Sequence, residues 1–347
     1  MRNVYIAIII ILGLTACENQ EQTFPDFDYK TVYFPIQLPV RTLSLGEDRV
    51  DNTLDKEYKF DIGVSIGGMY ENNQEWMVDY VVDPALAEKV VNNTNDTLYA
   101  LPSGYYTLSP VNTAIIPSGS FNGLIRVELT DQFFNDNFAV TGQYVVPLRI
   151  TGTSADSVLS GKPISQDDAD RRVVSDWESG KAPKDWTLYA IKYVNAYHGT
   201  YLHRGMNITL NGGVPVDTLV YSEGSVENDM LTTLTTLDLF TAKTNRISNS
   251  RASNTGKYAM ELEFGNSTGA SGTISIKPSA GSDWAANGTG EYFDLSSSSE
   301  SWTGLVWQSM YLDYSYNDGT NDHQVYDTLV FRDRGIRYEE NIIRIIP

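Results

Sequence analysis

Gly304-Leu305-Val306-Trp307-Gln308-Ser309-Met310-Tyr311-Leu312-Asp313-Tyr314-Ser315-Tyr316 runs into Asn317-Asp318-Gly319, and Gln324-Val325-Tyr326-Asp327-Thr328-Leu329-Val330-Phe331 follows. Both runs are rich in aromatic and β-branched residues, and an Asp-Gly pair between such runs is a strong hairpin signal. On an ideal strand starting at Ser301, one face carries Trp302, Val306, Met310, Tyr314 and Tyr316. The other face carries Leu305, Trp307, Ser309, Tyr311 and Asp313. If the first face is core, Trp307, Tyr311 and Asp313 point outward or toward a barrel lumen.

Further runs of the same kind lie at Lys257–Phe264, Gly272–Lys277, Gly290–Leu295 and Ile342–Ile346. A serial antiparallel meander of this length closes on itself and removes its edges. The expectation for residues 186–347 is therefore an antiparallel, lipocalin-like β-barrel, with a sandwich or jelly roll as the alternative. Tyr189, Tyr193, Tyr197 and Tyr201 recur every four residues, a helical spacing. Ile191, Tyr193 and Val194 are poor helix formers and Gly199 interrupts the series, which favours strand, turn, strand.

The N-terminal half reads as shorter strands: Thr31–Ile36, Glu57–Ile66, Glu75–Val82, Gly123–Leu129 and Gln143–Ile150. Pro35, Pro39 and Pro147 are expected at strand margins, where a missing N–H does least harm. Thr130–Asn137 and Pro84–Val91 are the helix-like pieces, the latter with Asp83 as N-cap and Pro84 at the first position. The spacing predicts an immunoglobulin-like β-sandwich over 29–155. Residues 156–185 lose the apolar period and read as a linker.

The first 16 residues read as a lipoprotein signal peptide. Arg2 gives a positive start, and Val4 to Leu14 is an apolar run too short to span a bilayer. Leu14-Thr15-Ala16-Cys17 is a lipobox, which makes Cys17, the one cysteine of the chain, the lipid attachment site. Residues 17–28 form a polar tether. The address this implies is the outer membrane, facing the cell exterior.

Composition closes off other classes. With 25 Lys and Arg against 44 Asp and Glu, the net charge is −19, which disfavours nucleic acid and anionic lipid surfaces as partners. One cysteine excludes a Cys₄ or Cys₂His₂ zinc site, three histidines leave few candidates for imidazole chemistry, and no metal or cofactor is expected. Gly63-Val64-Ser65-Ile66-Gly67 spells the nucleophile-elbow string, but it ends a β-run and leads into a loop, so it reads as a strand end. The oxygen-rich Asn317–Asp322 and Asp131–Asp136 lack EF-hand length and read as solvated turns. Asp96-Thr97-Leu98, Asp217-Thr218-Leu219 and Asp327-Thr328-Leu329 recur, and a turn Asp followed by a β-run accounts for each. They also resemble the Asp-Ser/Thr-aliphatic pattern used for O-glycosylation of exported Bacteroidetes proteins.

The tryptophans are concentrated late: five of six fall at or after residue 177. Sugar rings have apolar C–H faces that stack on Trp and Tyr, while Asn, Asp and Gln bond the hydroxyls. Trp284 and Tyr292 lie in the Gly/Ser/Asn-rich stretch Ser279–Ser299, where a loop would present them. Trp284, Tyr292, Trp302, Trp307 and Tyr311 are the candidate ligand-binding residues, weighed against the plainer reading that each fills the core.

Thr31-Val32-Tyr33-Phe34-Pro35-Ile36-Gln37, Leu101-Pro102-Ser103-Gly104-Tyr105-Tyr106-Thr107-Leu108 and Tyr144-Val145-Val146-Pro147-Leu148-Arg149-Ile150 resemble the N-terminal domain of Bacteroidetes surface lipoproteins. Some of these carry family 18 glycoside hydrolases. Ile191-Lys192-Tyr193-Val194-Asn195, Tyr197-His198-Gly199-Thr200-Tyr201 and Leu329-Val330-Phe331-Arg332-Asp333-Arg334 resemble their C-terminal partner domain. The resemblance implies a polysaccharide-utilisation locus, a glycan or oligosaccharide as ligand and an outer-membrane transporter complex as partner. The chain is expected to be a non-catalytic glycan-binding lipoprotein, not an enzyme, with a neutral or amino-sugar ligand suiting its acidic body. An assembly lipoprotein with protein partners and a small glycan hydrolase are the alternatives.

Overall fold

In Lys59–Gly67 every second side chain is apolar, and Phe60, Ile62, Val64 and Ile66 are all buried in the core. This period of two recurs along most of the chain. The structure, a computed structural model, describes residues 26–48, 50–165, 169–244, 246–250, 258–265 and 271–346. Cys17 and the signal segment 1–16 lie outside the described residues. Strand accounts for 49% and helix for 8%, so the fold is all-β.

The first body uses strands β1 (Thr31–Tyr33), β2 (Pro39–Ser44), β3 (Lys59–Gly67), β4 (Trp76–Val82), β5 (Tyr106–Ser109), β6 (Thr113–Ile116), β7 (Asn122–Leu129), β8 (Tyr144–Thr153), β9 (Ser157–Val158) and β10 (Trp186–Val194). They form two sheets, in the orders β9-β1-β3-β7-β5 and β2-β10-β8-β4-β6. Val32, Phe34, Ile62, Val64, Ile125 and Val127 from one sheet meet Val78, Tyr80, Val146, Leu148 and Ile150 from the other in a single buried core. Pro147, expected at a margin, sits inside β8, one residue from the point where β4 ends at the Leu148↔Val82 pair. The nucleophile-elbow string is the end of β3, and Gly68, with φ +96°, makes the turn after it.

Two boundaries differ from the sequence reading. Trp186–Val194, expected to open the second domain, pairs antiparallel with β8 and parallel with β2, and so completes a sheet of the sandwich. Residues 156–185 are not a free linker. β9 pairs with β1, Lys184 N–H donates to Leu159 O, and Arg171 pairs with the buried Asp185. Arg172 donates to the carbonyls of Leu86 and Glu88. The apolar period is missing there because the segment is fixed by polar contacts to a finished surface. Pro84–Val91 splits into a 3₁₀ turn, Pro84–Ala87, and a short strand at Val90–Val91, while Asp83 pairs with Arg149 rather than capping. Thr130–Asn137 contains one turn of helix, Asp131–Phe134, whose Phe133 and Phe134 close the bottom of the core.

The second body uses β11 (Gly199–Asn211), β12 (Val214–Tyr221), β13 (Met230–Thr236), β14 (Thr241–Thr244), β15 (Met260–Phe264), β16 (Ser271–Pro278), β17 (Asn287–Phe293), β18 (Ser309–Asn317) and β19 (Asp322–Asp333). From β13 to β19 each strand pairs antiparallel with the next. β11 pairs with β13 on one edge and β19 on the other, which closes the sheet into a barrel. β12 lies beside the distal half of β11. The Asp-Gly turn does join β18 to β19, with Asn317 opposite Asp322. Gly304–Tyr316 is not one strand: Ser301–Trp302 and Leu305–Val306 make a small separate hairpin, and the barrel strand begins at Ser309. The chain ends back on the sandwich, where β20 (Glu339–Glu340) pairs with β2 and Arg344–Ile345 pairs with Val90–Val91.

Candidate functional site

Alternation along β18 sends Met310, Leu312, Tyr314 and Tyr316 into the barrel and turns Tyr311 and Asp313 outward. The register then fixes what stands beside them. Thr273, Glu291, Tyr311 and Thr328 are consecutive cross-strand partners on β16 to β19. Thr289, Asp313 and Tyr326 form a second row two residues away. These rows line a groove of about 640 Å³ on the outer wall of the barrel. Four strands at the usual spacing make it about 14 Å across. Gln324 donates to Asp313. The Glu291 carboxylate and the Tyr326 hydroxyl have no hydrogen-bond or ion-pair partner among the described residues, and Tyr326 is 43% exposed.

The small hairpin is tied to the groove through Tyr311, whose hydroxyl donates to Glu300 just before it. Thr303 and Gly304 both have positive φ (55° and 78°), the turn geometry that matches the twist of a two-residue hairpin. This folds Trp302 toward Trp307, with ring centroids 5.2 Å apart and planes at 27°. Trp307 Nε1 donates to Trp302 O, and Trp302 Nε1 donates to Phe331 O, each at 3.0 Å. Glu300 connects this pair to the groove. Its backbone carbonyl accepts from Trp307 N–H, and its carboxylate accepts from Tyr311 Oη at 2.9 Å and from Arg204. Burial, and then the Glu300 carboxylate, raise the Tyr311 pKa, so its hydroxyl is a donor at neutral pH.

Trp302, Trp307 and Tyr311 are thus brought together, and the other two candidates are not. Tyr292 faces inward opposite Met310 and packs edge-on to Tyr197 at 5.0 Å. Its hydroxyl pKa is raised by burial. Trp284 stacks on Tyr316 at 4.7 Å, at the far end of β18, and so belongs to the opposite mouth of the barrel. Trp284 does lie in the loop between β16 and β17, half-buried against Tyr258 and Tyr316, whereas Tyr292 lies within β17. Glu291, Glu300 and Tyr326 escaped the sequence reading. Tyr326 was within reach of it: once Asn317 faces Asp322 across the turn, Tyr326 must lie opposite Asp313.

The barrel interior behind this wall is partly polar. Asp327 is buried and accepts from Tyr314 Oη at 2.7 Å and from Tyr221. His203 Nε2 lies 3.0 Å from Asp327 but off the line of a hydrogen bond, and its Nδ1 meets Thr232 Oγ1 at 2.8 Å. Gly205, the cross-strand partner of Asp327, makes room, since a Cβ there would sit 2.2 Å from the carboxylate. The Asp327-Thr328-Leu329 string is therefore mid-strand, with Asp327 inside and Thr328 in the groove, and not a turn. Asp217 likewise lies within β12. No cluster of His, Cys, Asp and Glu among the described residues has the arrangement of a metal site.

Sandwich followed by closed barrel, with an aromatic and acidic groove outside the barrel, defines the class. Residues 27–157 match a family model described as "-like, N-terminal domain", and residues 196–335 match a domain of unknown function, DUF5627. A crystal structure of a Bacteroides ovatus protein of unknown function is 31% identical, with a TM-score of 0.81. The match covers 92% of this chain and 100% of that one. The chain belongs to the family of that protein. An auxiliary nutrient binding protein from Bacteroides thetaiotaomicron VPI-5482 is similar at 15% identity and a TM-score of 0.39, over 84% of this chain and 89% of that one. A putative carbohydrate binding protein from Bacteroides ovatus ATCC 8483 stands at 13% and 0.28, over 91% and 98%. Likeness at those TM-scores does not transfer a ligand. No curated protein matches the chain.

Proposed function

We propose that this is a non-catalytic glycan-binding protein that holds a saccharide chain along the outer groove of its barrel. The observation that carries the reading is the two cross-strand rows, in which the rings of Tyr311 and Tyr326 alternate with Glu291, Asp313, Thr289 and Thr328. Aromatic faces take the C–H faces of sugars, and unpartnered carboxylate and hydroxyl groups take their hydroxyls. An open groove suits binding along a chain better than chemistry, which gains from a water-excluded site. The lipobox ending at Cys17 supports lipid anchoring at the outer membrane beside a transporter. Many anchored copies would add avidity to individually weak contacts.

Affinity gels and glycan arrays with the wild type, Tyr311→Ala, Tyr326→Ala and Trp302→Ala test the reading. The expected result is retention by at least one neutral or amino-sugar polysaccharide, weakened about tenfold in Tyr311→Ala, in line with the loss of one stacked ring and its hydrogen bond. A wild type that binds nothing, or three variants that bind unchanged, would remove the groove from consideration.

A further inference from the structure

The sandwich carries a second cleft, of about 420 Å³, within the size range of small-ligand sites. It forms where a strand edge is left open. β1 covers β3 only over Ser65–Gly67, and at Phe34 the chain leaves for the other sheet. Ile66 N–H donates to the β7 side, at Phe121 O, so by alternation Gly63 turns its N–H and C=O to the uncovered edge. The opposite wall is the returning C-terminal segment, Ile336–Tyr338, held in place by β20 on β2 and by the Lys192–Glu339 ion pair at 2.8 Å.

Two guanidiniums and a phenol line this cleft. Arg41 pairs with Asp55 and is 39% exposed in its side chain. Arg337 lines the cleft and has no hydrogen-bond or ion-pair partner among the described residues, in a chain where acids outnumber bases 44 to 25. The ring of Tyr189 is stacked on Phe60 at 5.4 Å, and its hydroxyl has no hydrogen-bond partner among the described residues. Burial raises its pKa, so it is a donor. Ile36 and the exposed Tyr338 ring supply apolar wall. A planar guanidinium matches a carboxylate or sulfate in geometry as well as in charge. A ring-bearing ligand with one acidic group would meet all of these at once.

We infer that the cleft between the open edge of β3 and the C-terminal segment is a second site, one that takes an acidic sugar unit with its anionic group on Arg337 and a hydroxyl on Tyr189. It is separate from the barrel groove and stands whether or not that groove binds glycan. The acidic body repels such a ligand at long range. Screening within about 8 Å at physiological ionic strength leaves the local contact in control.

Calorimetric titration and saturation-transfer NMR with glucuronate, glucose 6-sulfate and glucose test this on the full chain. Saturable binding is expected for glucuronate or glucose 6-sulfate, and whichever binds tells a carboxylate site from a sulfate site. Glucose should bind at least tenfold more weakly than the better acid. Arg337→Gln, an exposed substitution that leaves the fold intact, should weaken acid binding about tenfold or more, as expected for losing a charge-assisted contact. Tyr189→Phe should weaken it about threefold, and Tyr311→Ala should leave it unchanged. The inference fails if neither acid binds, if glucose displaces the acids from the Arg337-dependent site as readily as they displace each other, or if Arg337→Gln binds the acids like the wild type.

Discussion

The two bodies close their interiors differently. The sandwich closes on Val32, Phe34, Ile62, Val64, Ile125 and Leu148, with its buried polar groups such as Asn52 and Asp185 kept at the rim. The barrel begins the same way near the sandwich, on Tyr201, Leu234, Leu262, Phe264, Met310 and Leu312. Toward its far end it changes to two hydrogen-bonded groups, Asp327 with Tyr314 and Tyr221, and Asn207 with His323 and Tyr316, with the buried His203 bonded to Thr232 beside them. An apolar core is non-directional and tolerates swaps that keep its volume. A buried polar network is directional, and each member depends on the others. The outer groove is attached to the directional body: Asp313 and Tyr326 alternate along β18 and β19 with Tyr314 and Asp327. A wall fixed by such a network holds its outward side chains in one register.

The sharpest way to break this comparison is to delete one group from each interior. Asp327→Ala strands the Tyr314 and Tyr221 hydroxyls around a void, and should cost about 4 kcal/mol, two buried polar groups losing their acceptor together with a small cavity. Ile125→Val in the sandwich removes one methylene and should cost about 1 kcal/mol. Urea denaturation of both variants measures the difference. Equal costs would mean that the barrel network is no more demanding than an aliphatic core.

The region where the bodies meet tests whether they are one mechanical unit. Arg334 is 3% exposed and donates to Glu47 O of the sandwich, to Ala196 O and His198 O of the connecting turn, and to Gln308 of the barrel. Its guanidinium also lies 4.5 Å from the centre of the Phe331 ring. Arg334→Ala leaves buried carbonyls without donors and should cost about 3 kcal/mol. It should also raise protease sensitivity at the connection Asn195–Gly199. A variant as stable and as resistant as the wild type would show that the two bodies are held by the chain alone.

Much of this was legible from alternation. The strands β3, β4, β7 and β18, the hairpin turn at Asn317–Gly319 and the outward face of Tyr311 all follow from a period of two. Two kinds of information were hidden. Trp186–Val194 reads as a strand, but nothing local to it says that its partners are Val40–Ser44 and Tyr144–Arg149, far away in sequence. Asp327 breaks the expected pattern because a carboxylate on a core face looks like a turn residue until Gly205, Tyr221 and Tyr314 are placed around it. Trp284 and Tyr292 divide for a related reason: composition marks a loop, which holds the half-buried Trp284, but only packing shows Tyr316 stacked on Trp284 and Tyr292 buried within β17 against Tyr197.

A smaller effect than that of Arg334 is a matter of pH, and it again sits at the meeting of the two bodies. Burial, and then the charge of Arg334, lower the pKa of His198 from 6.5 to about 4. Its Nδ1 accepts from Thr236 N–H at 3.2 Å, a bond that needs the neutral ring. Between these two values the unfolded chain takes up a proton that the folded chain refuses. Stability from this residue is therefore complete above pH 6.5, falls as the pH drops toward 4, and levels off below it. Discounted for the partial exposure of the ring, the loss should be about 2 kcal/mol. His198→Asn keeps an acceptor toward Thr236 and removes the titration. Denaturation curves at pH 7, 5.5 and 4.5 should show the wild type losing more stability than the variant over that range. Parallel losses would place the acid sensitivity in the carboxylates of the two bodies and not in the turn that joins them.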